Sequence, residues 1–398
     1  MMEEIGLYLV LILAIVAGWL LGKFGPGKNK GASELTREIF DEYFVGLNYL
    51  LNDEPDEAID TFIKALEVNS ETVETHLALG ALLRRRGKVD KAIKVHQALL
   101  ARPGLNQSFT DSTRIQLAID YIAAGLLDRA ERLLNEILEE DAPAKWDALL
   151  HLMTIYQTEK EWSEAIECAR QLLTNQAMRR DQSLRTAGAN FCCELAELTL
   201  QTGNAIDARR QARRAFDFDR WSVRASLLLA RIEQRLGNPQ AVIKELQRVR
   251  QLSPEFTDEL LPALSQSYAE IDKLDDYEAM LRHGLSERPT AGTVLAMARL
   301  IRDRDGDEAA IEFVSGLMQA HPSLPGLAEL LGMQIPRASD DVAISMQLLK
   351  AAIERLMLKQ PAYRCNHCGF EAKSLYWLCP SCQKWDQIRP LEMAKEIN

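Results

Sequence analysis

The chain has 398 residues, 47% of them hydrophobic and 26% charged, with a formal net charge of −11. That apolar content is enough for more than one ordinary core and excludes a disordered class. The acidic balance disfavours broad nucleic-acid binding, which needs a surplus of Lys and Arg to neutralise phosphate.

The first feature in chain order is Ile5 to Leu21, an uncharged and strongly apolar run. As a helix it extends roughly 25 Å at about 1.5 Å per residue, just short of a ~30 Å hydrocarbon core. Residues 1–22 are therefore expected to form a transmembrane anchor. Glu3 and Glu4 precede it, whereas a cleaved secretory signal begins with basic residues, so the anchor is expected to stay uncleaved. Lys23, Lys28 and Lys30 follow it, and the positive-inside rule then puts the rest of the chain in the cytoplasm. Ala14, Gly18 and Gly22 recur every four residues, a small-residue ridge against which another membrane helix can pack. Residues 23–34, rich in Gly and Lys around Pro26, read as a flexible linker.

From 35 to 322 the chain repeats a pattern: a helix with a small residue, a turn often marked by Gly, and a second helix beginning near an Ala. The second-helix anchors are Ala58, Ala92, Ala130, Ala165, Ala208, Ala241, Ala279 and Ala309, spaced mostly by 33 to 38 residues. In the second unit Gly80 and Ala92 let paired helices approach, Leu83 and Leu99 fill the seam, and Pro103 stops the hairpin. Gly46, Tyr49, Ala58 and Phe62 occupy the same positions in the first unit, and Ala118, Tyr121, Gly125 and Ala130 in the third. These residues resemble the tetratricopeptide repeat. The resemblance implies an all-α solenoid with an extended binding surface and no reaction centre. Spacing widens to 43 between Ala165 and Ala208, which predicts an insertion near Asn175 to Ser183. Residues 323–360 keep helical periodicity only and read as a degenerate repeat.

His76 and His96 fall at helix-packing positions, and no phosphate-cradling loop or nucleophile triad accompanies them. Cys168, Cys192 and Cys193 are expected to be buried packing residues, not disulfides. One segment departs from the acidic average: residues 201–250 hold eleven basic side chains against five acidic ones. Arg209, Arg210, Arg213, Arg214, Arg220 and Arg224 form its densest part. They define either an ordinary solvated face or a docking patch for an acidic segment or anionic head groups. In the docking reading, charge reversal there, Arg224 included, leaves folding intact.

Residues 361–398 carry Cys365-x-x-Cys368 and Cys379-x-x-Cys382, ten residues apart. Two such knuckles place four thiolates around one tetrahedral ion, iron or zinc, and fill its coordination shell. Gly369 supplies the positive φ that turns backbone N–H groups toward sulfur. Arg364, Lys373 and Lys384 are expected to offset the cluster's negative charge, while Tyr363, Phe370, Tyr376, Trp377 and Trp385 cover the metal or pack on the preceding helices. The pattern resembles the rubredoxin or zinc-ribbon knuckle pair. Glu371, Asp386, Glu392 and Glu396 argue against a nucleic-acid-binding ribbon. A tethered rubredoxin-like electron carrier remains the alternative function.

The order of anchor, repeats and four-cysteine module resembles the lipopolysaccharide assembly protein B family of Gram-negative bacteria. That resemblance implies a non-enzymatic, single-pass inner-membrane adaptor facing the cytoplasm. It further implies action with an FtsH-type membrane protease on the lipid A pathway deacetylase, answering to a membrane sensor protein of the same pathway.

Overall fold

A computed structural model describes residues 45, 46, 49, 61, 73–140, 143–320 and 322–391. The expected anchor 1–22, the linker 23–34, and Ala58 and Phe62 of the first repeat lie outside the described residues. Among the described residues no helix is long and apolar enough to cross a membrane. The chain divides into two compact units, Met1–Ala144 and Lys145–Asn398.

In the first unit α1 (Val73–Arg85) pairs with α2 (Val89–Leu100), and α3 (Gln107–Ala123) with α4 (Leu127–Glu139). Ala92 and Ala130 are fully buried where the helices of each pair meet, and Leu99, Leu134 and Ile137 beside them are equally inaccessible. Each such leucine contributes about 1.5–3 kcal/mol by burial. Gly80 has the close approach its position requires, because a Cβ there would lie 2.3 Å from His96 Nε2. His96 is a packing residue: its Nδ1 lies 2.5 Å from Asp120 Oδ2, and Arg84 Nη1 lies 2.5 Å from Asp120 Oδ1. One buried carboxylate thereby links α1, α2 and α3.

The second unit continues the pattern with α5 (Lys145–Glu159), α6 (Trp162–Leu172), α7 (Gln182–Gln201), α8 (Ala205–Phe218), α9 (Val223–Arg235) and α10 (Pro239–Leu252). Then come α11 (Thr257–Glu270), α12 (Leu274–Glu287), α13 (Ala291–Asp305), α14 (Asp307–Ala320), α15 (Leu324–Gln334) and α16 (Asp340–Lys359). The predicted insertion is a turn over 173–181 followed by the 20-residue α7, whose first amides, Ser183 and Leu184, are accepted by the Asp181 carboxylate. Those bonds, led by the Leu184 N–H, hold Asp181 below the usual carboxylate range.

The anchor register needs one correction. A residue with positive φ closes the hairpin turns at Gly87, Gly125, Lys160, Gly203, Gly237 and Asp272. The residue five places later is buried in each case: Ala92, Ala130, Ala165, Ala208, Val242 and Tyr277. Ala241 and Ala279 are therefore not the buried anchors, and in the α13–α14 hairpin Ala310, four places after the positive-φ Gly306, is buried instead of Ala309. Turn geometry, not alanine, fixes the register. The signature fades where Lys160 and Asp272 take the glycine's conformation and where Val242 and Tyr277 take the alanine's place. Tyr277 is accommodated by Tyr268, 5.7 Å away between ring centroids, and its hydroxyl donates to the Leu261 carbonyl at 3.3 Å.

After α16 the chain forms a small antiparallel sheet, β1 (Tyr363–Cys365), β2 (Glu371–Ala372) and β3 (Ile388–Pro390), in the order β2-β1-β3. Cys365 pairs with Ile388, so the sheet closes on the first cysteine ligand.

Candidate metal centre

Each knuckle is a tight turn stitched by its own backbone. Cys365 N–H donates to Phe370 O at 2.8 Å and Gly369 N–H to Cys365 O at 2.9 Å; Cys379 N–H donates to Lys384 O at 3.0 Å and Gln383 N–H to Cys379 O at 2.9 Å. Gly369 has φ 77°, as its position after the pair requires. In the second knuckle Gln383, at φ 55°, takes the same left-handed conformation without being glycine.

The four sulfurs converge. All lie within 4.8 Å of one another, with Cys365 to Cys382 at 3.8 Å and Cys368 to Cys379 at 3.7 Å. A tetrahedron with metal–sulfur bonds of about 2.3 Å has edges of about 3.8 Å, so the donor set fits one ion. The Phe370 N–H beside Cys368 draws that thiol down to about 6. Cys382, with the Lys384 N–H beside it, is instead pushed up to about 12, chiefly by desolvation. These are opposite ends of one shared titration, because four thiols this close cannot all ionise without a cation. A divalent ion removes the conflict and leaves no coordination position for substrate or water. His367 is exposed, outside the shell. The expected charge partner Arg364 is engaged elsewhere, in a 2.5 Å pair with Glu371. Backbone N–H groups serve the sulfurs in its place.

The module sits on the repeats through its aromatic side chains. Tyr363 and Phe370 pack on Cys365, Cys379 and Ile388, whereas Trp377 and Trp385 reach helices far earlier in the chain. Trp385 Nε1 donates to Gln157 Oε1 on α5 at 3.0 Å, and its ring meets Phe191 of α7 edge-on at 5.9 Å. Trp377 stacks on the fully buried Phe256 at 6.2 Å. Arg389 of β3 pairs with Glu255 at 3.3 Å, and Tyr363 donates to Glu259 on α11. Burial leads in raising both the Tyr363 hydroxyl and the Glu259 carboxyl.

Arg224 is the centre of this seat. It is 2% exposed, and its guanidinium carbon lies 5.7 Å from the ring centroids of both Trp377 and Trp385. It donates to Asn190 at 3.0 Å, to Glu194 at 2.8 Å and to Glu197 at 3.3 Å. Beside it Asp386 keeps one carboxylate oxygen buried without a hydrogen-bond partner although the residue as a whole is half-buried. Burial pushes that carboxyl up to about 6 against the pull of Asn190, Arg389 and Arg224.

This placement takes Arg224 out of the docking-patch reading. Arg224 belongs to the interior, and its charge reversal would not leave folding intact. The other five arginines lie on or near the surface with neighbours of their own. Arg209 and Arg213 approach Glu233 at 3.6 and 3.7 Å, Arg210 pairs with Asp207 at 2.8 Å, Arg214 bonds Gln211 at 2.7 Å, and Arg220 lies 4.8 Å from the Trp221 ring centroid. Sequence reasoning missed Gln157, Asn190 and Phe191, which no spacing connects to the cysteines. Cys168, Cys192 and Cys193 are buried and form no disulfide, and burial pushes Cys192 up to about 12, far from a reactive thiolate.

Fold and site together define a tetratricopeptide-repeat protein that carries a rubredoxin-like, four-cysteine metal-binding domain. Residues 363–390 match the rubredoxin metal binding domain family and residues 46–106 the tetratricopeptide repeat family. The chain is 34% identical over 388 residues to lipopolysaccharide assembly protein B of Escherichia coli strain K12, covering 97% of each chain. It is 32% identical over 396 residues to the protein of that name from Haemophilus influenzae, covering 97% of this chain and 98% of that one. It belongs to the lipopolysaccharide assembly protein B family. Among solved structures it is similar to YrrB, a tetratricopeptide-repeat protein, at 16% identity and TM-score 0.34 over 48% of this chain and 92% of that one.

Proposed function

We propose that this protein is a non-enzymatic adaptor in lipopolysaccharide assembly, held at the bacterial inner membrane by residues 1–22 with its repeats in the cytoplasm. On this reading it presents the lipid A pathway deacetylase to an FtsH-type protease and answers to a membrane sensor protein. The observation that carries it is the closed four-sulfur shell seated on a helical-repeat surface, an arrangement that shapes a binding scaffold and leaves no open metal position for chemistry. Its relatives' shared name and the near-complete coverage support the assembly role.

Physically, tethering confines scaffold and protease to one plane, so a captured substrate gains effective concentration without new chemistry. The test is the half-life of the deacetylase in cells after synthesis is stopped. Deleting the chain, or replacing Cys379 and Cys382 by Ser, lengthens that half-life several-fold if the reading holds. An unchanged half-life on deletion of the chain rejects it.

A further inference from the structure

The last helix of the solenoid is covered on one side only. Ile353 is the one buried residue of α16, with Ala343, Met346, Lys350 and Met357 half-buried along the same stripe, and Lys350 reaches over Gly332 of α15. A terminal repeat needs a polar outer face to stay soluble. Here Val342, Ile344, Leu348, Leu349, Leu356 and Leu358 are instead 47% to 71% exposed.

Three of them share one stripe: Val342, Leu349 and Leu356 alternate with the small residues Ser345 and Ala352 at steps of three and four over two heptads, Leu348 flanks the middle, and Ile344 and Leu358 lie outside it. The charges are ordered too. Asp340 and Asp341 open the helix, and Arg355 and Lys359 close it. Two antiparallel copies around a two-fold axis near Leu348 set Asp341 of one against Arg355 of the other, with opposed helix dipoles. A parallel pair would set like charges together. The helix carries three acidic and three basic residues, so it lacks the basic surplus an anionic membrane surface requires.

We propose that this face binds a second copy of the chain through an antiparallel α16 pair. The test uses the full chain in detergent with Leu348→Cys and a short bis-maleimide crosslinker, the unsubstituted chain giving the background from its own cysteines. Crosslinked homodimer above that background is expected. Adding Asp341→Lys or Arg355→Asp alone weakens the dimer by roughly three- to tenfold, and the two together restore it, with helical circular dichroism unchanged throughout. No crosslink above background at position 348 overturns the proposal. So does a double variant no better than either single one, because only the antiparallel pairing predicts rescue. Stronger attachment of Asp341→Lys to anionic vesicles without any dimer assigns the face to lipid and also overturns it.

Discussion

The seat of the metal module and the outer face of α16 both present large side chains, yet only the first surrounds them. At the seat, Trp377 and Trp385 flank one buried arginine that bonds Asn190, Glu194 and Glu197. On α16 a comparable apolar content is left in water. The difference shows that an exposed helix face is not forced by the repeat architecture. Where this chain needs a face covered, it supplies tryptophans from as far as 228 residues away.

Metal removal should separate the two regions most strongly. Four thiolates and a small sheet cannot fold without the ion, so chelation costs the module on the order of 10 kcal/mol. Trp377 and Trp385 then become solvent-exposed. A red shift in tryptophan emission, with the α16 face unaffected, is the expected readout.

Next in size is Arg224→Met, which leaves Glu194 and Glu197 without their buried partner and should cost about 3–5 kcal/mol in thermal or denaturant unfolding. Arg210→Glu, at an exposed position in the same basic segment, should change stability by less than about 0.5 kcal/mol. Equal effects would mean that the segment acts as one surface after all.

Much of this was legible in the residues. The two cysteine pairs announced the ligand set, and small residues near each turn announced the hairpins. The seat was not legible because its partners are joined by no period. Arg224 differs from Arg210 only by where α9 places it, and composition counts both alike. The fading of the later repeats had a local cause: the turn conformation persists at Lys160 and Asp272 without its usual glycine.

A smaller effect comes from Asp386. Its carboxyl sits near 6 when folded against an ordinary value near 3.8, so the protonated form is favoured at the seat. That contribution is fully present below about 3.8 and is lost as pH rises through about 6. Asp386→Asn should therefore raise module stability at pH 7 by about 1–3 kcal/mol and flatten its dependence between pH 4 and 6. Asparagine tolerates the positive φ found there, so strain does not confuse the result. Chemical unfolding at both pH values checks it.

The most direct measurement is hydrogen exchange of the full chain with the metal bound and after chelation. Seating of the module on the repeats requires that α7, α9 and residues 254–259 lose protection when the ion is removed, while α14 and α15 keep theirs. Unchanged protection across α7 and α9 would contradict it, because the metal module would then be folding beside the solenoid without bracing it.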